Sequence, residues 1–176
     1  MNKPPTDQPS SCSIQTASIL LGRSKRTLQR WCEDGTLHVV VQCGPGRAQR
    51  QLIDLTQILE MFGPCPEPDF TELVVAADEG EADAQNDLGM VLLQEGKAES
   101  AVAFFQESAR QEYPEAMHWL SQCYMKGLGV ERDENLAMMW LNKAAAHGHV
   151  IAKAQADAIR AMALQQLQAS GPPAPQ

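Results

Sequence analysis

The chain has 176 residues, which is enough for one ordinary domain or two small ones. Apolar residues make up 44% of it and aromatic residues only 5%, a balance that favours helices over a β-sandwich. Residues 1–60 hold seven Lys or Arg against five Asp or Glu, a balance of +2, whereas the remainder holds 7 against 17, a balance of −10. We therefore expect the two halves to meet different partners.

The first twelve residues are rich in Pro, Ser and Thr, and residues 1–12 are predicted to be disordered. They contain no apolar stretch of the kind that a secretory signal needs, and no run in the chain approaches the roughly 20 apolar residues of a membrane span. The five cysteines are odd in number and form no C-x-x-C pair, so reduced thiols are expected. These features predict a cytoplasmic protein without disulfides or membrane contact.

Two short helices are predicted next. An apolar cluster over residues 14–21 ends at Gly22, which suits a helix C-cap. Ser24 can cap a second helix whose inner face carries Leu28 and Trp31, and Asp34-Gly35 ends it. Residues 37–41 and 51–53 then read as two strands joined by a glycine-rich tip, and a third helix runs to Phe62. Helix, tight turn, helix and hairpin in this order indicate a winged helix-turn-helix.

The outer face of the second helix is cationic, and the tip of the hairpin adds further arginines. Arg, Lys and Gln on such a helix can contact base edges or phosphates in the major groove, and cations on a loop suit the phosphate backbone. The predicted DNA-contact residues are Arg23, Ser24, Lys25, Arg26, Gln29, Arg30, Arg47 and Arg50. A solvated surface or a protein-docking module remains the alternative interpretation of the same residues.

Residues 13–62 resemble the winged helix-turn-helix of the MerR and excisionase type. The resemblance rests on the order of Leu21-Gly22, Ser24, Thr27-Leu28, Trp31 and Asp34-Gly35, followed by the glycine-rich wing and Leu52-Ile53-Asp54-Leu55. It implies DNA binding and transcription regulation of a bacterial kind. The chain departs from MerR regulators because it shows neither their long dimerising helix nor a metal-sensing cysteine set. A unit this small binds DNA weakly alone, so DNA binding implies a homodimer or a helper protein.

Three prolines between residues 63 and 70 predict a semi-rigid linker and a domain boundary. After it, small residues recur at a spacing of 32 residues between Ala84 and Ala116 and of 36 residues between Ala116 and Ala152. Helices are predicted at about 71–79, 82–95, 98–111, 114–126, 134–146 and 150–168. Repeats of this length bury their apolar faces by stacking, so residues 71–168 are predicted to form a short α-solenoid, with a disordered tail over residues 169–176.

The repeat resembles the Sel-one-like repeat, a relative of the tetratricopeptide repeat. The segment from Ala116 to Gly148 follows that motif through Leu120, Tyr124, Gly127-x-Gly129-Val130 and Trp140, and departs from it at Ser121, where the family usually has glycine. The first repeat is shorter and lacks the Gly-x-Gly-Val loop. The resemblance implies an adaptor that binds a protein or peptide on a concave face.

No motif for catalysis, phosphate binding or a dinucleotide is present, so no enzyme activity and no cofactor are expected. His147 and His149 lack a third ligand at tetrahedral spacing, and the loop interpretation of this pair is preferred over a metal site. The sequence thus predicts a mainly α protein, a small winged helix-turn-helix followed by antiparallel helix pairs. Its predicted function is DNA-binding regulation with a protein partner on the repeats. The alternative is an adaptor or scaffold that uses both halves for protein binding and no DNA.

Overall fold

The computed structural model describes residues 10–42, 50–64 and 69–169. The chain is mainly helical and divides into two compact units, residues 1–104 and residues 105–176. Each unit has its own buried core, and each is described by itself below.

A three-stranded antiparallel sheet lies in the first unit, with strand order β1-β3-β2. Its strands are β1 (Ser11–Cys12), β2 (Val39–Gln42) and β3 (Arg50–Asp54). Ser11 pairs with Asp54, and Val39 pairs with Ile53. The last two residues of the segment predicted to be disordered, 11 and 12, thus form a strand. Two residues are too few for a sequence pattern to predict a strand. This strand forms because it pairs with β3, which lies about 40 residues later in the sequence.

Three short helices accompany this sheet: α1 (Ile14–Leu21), α2 (Lys25–Glu33) and α3 (Leu55–Phe62). Local hydrogen bonds start each of them. The side chains of Ser13, Ser24 and Asp54 accept hydrogen bonds from backbone N–H groups of the first turn. Gly22 ends α1 with a φ of 59°, a left-handed conformation that favours glycine, and so allows α2 to begin three residues later. The core between these elements includes the fully buried Leu28, Leu55 and Ile58.

The rest of the first unit begins with α4 (Phe70–Glu79) and α5 (Ala82–Gln94), which pack against each other. The following helix, α6 (Ala98–Arg110), continues into the second unit. Phe70, Val74, Leu88 and Leu92 are fully buried along α4 and α5. Each such side chain contributes about 1.5–3 kcal/mol when it leaves water, so apolar burial holds this helix pair together.

Polar contacts join α1 and α3 to α4 and α6 within this unit. The carboxylate of Asp78 on α4 accepts three hydrogen bonds: from the Ser13 backbone N–H (3.0 Å), from the Ser13 hydroxyl and from the Thr16 hydroxyl (2.6 Å). The Ser100 hydroxyl donates to the carbonyl oxygen of Ile19 at 2.5 Å. Lys97 Nζ lies 3.0 Å from the centre of the Phe62 ring and donates to the Phe62 carbonyl oxygen at 3.1 Å.

These contacts cross the segment 63–70 that the sequence marks as a linker. Residues 65–68 lie outside the described residues, so a linker there stays a prediction. The compact unit nevertheless extends to residue 104, because the partners of α1 and α3 lie on α4 and at the start of α6.

The second unit contains α7 (Pro114–Lys126), α8 (Glu134–Ala146) and α9 (Val150–Ala169), and α8 packs against both neighbours. The rings of Phe105 and Trp119 stack with centroids 5.9 Å apart and planes 7° from parallel. Leu120 and Cys123 are fully buried, and burial raises the pKa of the Cys123 thiol to about 11. That thiol is therefore protonated at neutral pH and packs as a small apolar side chain.

The predicted helices agree with the observed ones to within one or two residues, and the repeat spacing has a direct structural meaning. Ala84, Ala116 and Ala152 are 7%, 0% and 0% exposed and occupy equivalent helical positions. Glycine with positive φ stands in the loop before the first and the third of these helices, at Gly80 and Gly148. Glu112 takes that position before the second helix with a φ of 62°, a left-handed conformation that costs a residue with a Cβ about 1–2 kcal/mol.

Candidate functional site

The turn between α1 and α2 positions the cationic helix that the sequence singles out. The Ser18 hydroxyl donates to the Arg23 carbonyl oxygen at 2.5 Å, and Ser24 accepts a hydrogen bond from the Thr27 N–H at 3.2 Å. Ser24 thus caps the first turn of α2. These local bonds fix the direction in which α2 leaves the turn.

The two faces of α2 differ sharply in exposure. Leu28 is fully buried, and Trp31 and Cys32 are half-buried, as the sequence pattern indicates. The predicted DNA-contact side chains of the helix are exposed and fall within about 140° of its circumference, given 100° per residue. They are Lys25, Arg26, Gln29 and Arg30, and Arg23 in the preceding turn is exposed as well. Glu33 is the acidic residue on the same side, in the last turn of the helix.

Three of these cations, Arg23, Lys25 and Arg26, form no ion pair with any residue that the structure describes. Arg30 lies close to Asp34, whose pKa is lowered mainly by two hydrogen bonds from Thr36 and to a smaller extent by the Arg30 charge. The α2 surface therefore presents a set of exposed positive charges along one side of the helix.

The two arginines of the hairpin belong to a segment that is described only in part. Arg47 lies outside the described residues. The backbone of Arg50 pairs with Gln42 in the antiparallel β2–β3 ladder, while its side chain lies outside the described part of the structure. Their predicted roles stay predictions.

An acidic groove lies between α4 and α5. Its volume is about 430 Å³, and its lining includes Leu73, Met90 and Val91 together with the carboxylates of Asp69 and Asp87. Asn86, which is 1% exposed, donates a hydrogen bond to the Asp87 carboxylate at 3.1 Å. The sequence periodicity predicts only that these side chains lie on helices. It does not predict the groove, because the groove depends on how α4 and α5 cross.

A second groove, of about 410 Å³, lies in the second unit where α7 meets the loop before α9. His149 is buried there: its Nε2 lies 3.0 Å from the Glu115 carboxylate, and its Nδ1 accepts a hydrogen bond from the Ala152 N–H at 3.0 Å. The His118 ring stacks on it with centroids 4.4 Å apart. The pKa of His118 is lowered, first by burial and then by the neighbouring His149.

The sequence pattern places His147 and His149 alike in a loop, and for His149 this interpretation is incomplete. His147 is exposed, whereas His149 immediately precedes α9, accepts a hydrogen bond from the Ala152 N–H in its first turn and contacts Glu115 on α7. The repeat spacing gives no signal for this burial, because the equivalent residues before Ala84 and Ala116, Glu81 and Tyr113, are exposed and half-buried. Over the described ranges, no group of three or more His, Cys, Asp or Glu side chains is placed to hold a metal ion.

Antiparallel helices that repeat their small buried residues every 32 and 36 residues define an α-helical repeat protein over this part of the chain. The Sel1 repeat model matches residues 82–113 and 114–149, which are segments of the same two lengths. Residues 82–149 therefore comprise two Sel1 repeats, and the predicted Sel-one-like repeat is confirmed there. Ser121, which departs from the family glycine, is 3% exposed at the position that Gly89 holds in the first repeat.

Among solved structures, the chain is similar to the Sel1 repeat protein from Oxalobacter formigenes, with 30% sequence identity and a TM-score of 0.47. The match covers 60% of this chain and 33% of that protein, so this chain spans about a third of the length of the protein that it matches. No curated protein matches the chain. Sel1 repeats typically form non-catalytic adaptors, so residues 82–149 have the capacity for protein–protein interaction. None of the helices in the described ranges is both long and apolar enough to cross a membrane.

Proposed function

We propose that the chain is a DNA-binding regulatory protein in which residues 13–62 form a winged helix-turn-helix of the MerR and excisionase type. Helix α2 enters the major groove, and Lys25, Arg26, Gln29 and Arg30 contact base edges or phosphates. Arg23 and Ser24 contact the backbone next to the turn, and Arg47 and Arg50 contact it from the hairpin. The Sel1 repeats bind a partner protein that recruits the DNA-bound chain or removes it from DNA.

The observation that carries this proposal is the exposed cationic face of α2. A cation that is paired with a neighbouring carboxylate gains little from a phosphate, because the existing pair must be broken first. Arg23, Lys25 and Arg26 form no ion pair with other described residues, so they meet DNA without that cost. The local net charge of +2 over residues 1–60 acts in the same direction.

The order of elements also supports the proposal. A tight glycine turn joins α1 and α2, and an antiparallel pair of strands, β2 and β3, follows α2 directly. This is the order of a winged helix-turn-helix, in which the strands present a loop beside the recognition helix. The hydrogen bonds from Ser13 and Thr16 to Asp78 hold α1 against the helical part of the first unit.

The second candidate function is an adaptor that binds proteins through both halves and no DNA. It is favoured by the groove between α4 and α5, whose lining combines apolar side chains with two carboxylates. The two candidates differ in one measurable property, namely affinity for duplex DNA at low salt.

Fluorescence anisotropy of a labelled duplex of random sequence, titrated with the full chain at low salt, tests the proposal. Wild-type protein is expected to bind, and the Arg26→Gln, Arg30→Gln double variant is expected to bind at least about tenfold more weakly. The matched control removes two exposed lysines elsewhere, Lys126→Gln with Lys153→Gln, and is expected to retain most of the affinity. Absence of binding by the wild type, or equal losses in both double variants, would refute the DNA-binding role and favour the adaptor.

A further inference from the structure

The first turn of α9 is capped by a histidine side chain. Helix α9 begins at Val150, so His149 occupies the N-cap position, where Ser, Thr, Asp and Asn are the preferred residues. The Nδ1 atom of His149 accepts a hydrogen bond from the Ala152 N–H at 3.0 Å, and its carbonyl oxygen accepts one from the Lys153 N–H at 3.0 Å. Unlike the preferred capping side chains, an imidazole titrates between about pH 5 and about pH 8.

These hydrogen bonds determine the charge of the ring and the position of its proton. An Nδ1 atom that accepts a hydrogen bond carries no proton, so the ring is neutral and its proton is on Nε2. Nε2 lies 3.0 Å from a carboxylate oxygen of Glu115 on α7 and donates to it. The neutral ring of His149 therefore caps α9 and contacts α7 at the same time.

A second proton on this ring is poorly accommodated in the closed arrangement. His149 is 8% exposed and Ala152 is 0% exposed, so water cannot replace the hydrogen bond that the proton would break. The positive end of the α9 dipole also disfavours a cation at this position. The Glu115 carboxylate attracts a cation, but its side chain is 47% exposed, so water screens that attraction. Glu115 also accepts the Nε2–H of the neutral ring, so the contact with α7 does not require the charge.

Other titratable groups face His149 from the surrounding elements. His118 on α7 stacks on it with ring centroids 4.4 Å apart, and Tyr113 and His147 line the same groove. From α8, the Ala144 carbonyl oxygen accepts the His149 N–H at 2.9 Å. The Nδ1 atom of His118 is buried and has no hydrogen-bond partner within the described part of the chain, and burial lowers the pKa of this ring. Two charged rings at this separation would repel each other, so the stack also favours neutral histidines.

We propose that His149 is an acid-sensitive cap, which holds the start of α9 against α7 at neutral pH and releases it in mild acid. A proton from water binds the lone pair of Nδ1, the hydrogen bond from the Ala152 N–H breaks, and the charged ring turns towards solvent. The end of the repeat region is thus closed at neutral pH and opens as the pH falls. The inference does not depend on DNA binding, so its failure and the failure of the proposed function are separate results.

Proton linkage gives the sign and the size of the effect. The open form takes up a proton at Nδ1 of His149 and the closed form does not, so the ratio of open to closed molecules rises as the pH falls. A solvated imidazole with the ordinary pKa of about 6.5 raises this ratio up to about 25-fold between about pH 7 and about pH 5.

Hydrogen exchange in the full chain at these two pH values tests the inference. The quantity compared is the protection factor, because it is corrected for the effect of pH on the intrinsic exchange rate. Peptides from residues 150–158 of α9 are expected to lose up to about 25-fold of their protection in acid. Peptides from residues 82–94 of α5, which lies in the other compact unit, are the internal reference and are expected to change by less than about threefold.

Three variants assign the effect to one ring. His149→Asn keeps a hydrogen-bond acceptor at the N-cap and does not titrate, so its α9 protection is expected to be equal at the two pH values. His147→Asn is the matched control, because it removes an exposed imidazole two residues earlier, and it is expected to show the pH dependence of the wild type. His118→Phe keeps a ring in the stack and is expected to retain a pH dependence, since His149 still titrates.

Nitrogen NMR of the histidine rings in the wild type gives a test that needs no variant. At neutral pH, Nδ1 of His149 is expected to show the chemical shift of an unprotonated nitrogen and Nε2 that of a protonated one. A proton on Nδ1 at neutral pH would overturn the inference, as would equal α9 protection at the two pH values. An equal loss of protection in α5, or a wild-type pH dependence in His149→Asn, would overturn it as well.

Discussion

Replacement of Asp78 by alanine removes the carboxylate that holds the start of α1. Three donors are deprived of their acceptor at once: the Ser13 N–H, the Ser13 hydroxyl and the Thr16 hydroxyl. Thr16 is only 4% exposed, so water reaches its hydroxyl poorly after the substitution. The cap that Ser13 provides to the Thr16 N–H remains, so we expect α1 to keep its helical form and to detach from α4.

The magnitude follows from the number and type of bonds. A hydrogen bond to a charged group contributes about 1.5–3 kcal/mol, and bonds that share one carboxylate are not additive. The three bonds to Asp78 together therefore stabilise the first unit by roughly 2–4 kcal/mol. Because 1.4 kcal/mol corresponds to a factor of ten, hydrogen exchange at the amides of α1 is expected to accelerate about 30- to 1,000-fold.

Hydrogen exchange followed by mass spectrometry of peptides from residues 13–22 measures this effect in the full chain. Glu79→Ala is the matched control, since Glu79 is the next residue along α4, carries the same charge and is exposed. It is expected to change protection by less than a factor of about three, as is usual for a surface substitution. The double variant Ser13→Ala, Asp78→Ala is expected to reduce protection by less than the sum of the two single effects.

Unchanged protection of α1 in Asp78→Ala would refute the hydrogen-bonded attachment. So would an equal effect of Glu79→Ala, because the change would then come from the net charge of α4 and not from the hydrogen bonds. Strict additivity of the Ser13 and Asp78 substitutions would show that the two side chains do not act on each other.

Two further predictions concern the loop before the second repeat and the first helix of that repeat. Glu112→Gly is expected to raise the free energy of unfolding by about 0.5–1 kcal/mol in urea denaturation, because glycine adopts the left-handed conformation without strain. Glu112→Ala keeps the Cβ and is expected to leave the free energy of unfolding unchanged. A gain for alanine equal to that for glycine would contradict this explanation. The lowered pKa of His118 means that the folded state binds its proton more weakly than the unfolded state, so stability is expected to fall as the pH drops from about 7 to about 5. His118→Phe should reduce this dependence and His147→Phe should not; the opposite result would assign the titration to the exposed ring.

The repeat could be predicted from the sequence because its determinants are local. A buried helical position tolerates only a small side chain where two helices approach closely, so Ala84, Ala116 and Ala152 recur at fixed spacing. The helix ends are equally accessible to prediction, because Gly22 and Gly127 adopt positive φ at the C-caps of α1 and α7. The division of α2 into a buried and a charged side follows from its 3.6-residue period in the same way.

The remaining features depend on residues that meet only after folding. Asp78 reads in the sequence as one of several solvated acids at a helix end, yet its partners lie more than 60 residues earlier. Strand β1 forms because Ser11 and Cys12 pair with β3, although these two residues show no strand pattern in the sequence. The burial of His149 depends on Glu115 from the preceding repeat helix α7. No local pattern encodes such pairs, and this is why the sequence does not predict that the first unit extends to residue 104.

The salt dependence of DNA binding tests the central claim most directly. The logarithm of the observed association constant is measured against the logarithm of the salt concentration for the full chain and for the Lys25→Gln, Arg26→Gln, Arg30→Gln variant. If α2 binds phosphates through these cations, the wild type is expected to have a steep negative slope. In the triple variant the magnitude of the slope is expected to be smaller by about 0.9 for each phosphate that is no longer neutralised, or by up to about 2.7 in total. A wild-type slope near zero, or an unchanged slope in the variant, would contradict the proposal that this helix binds DNA.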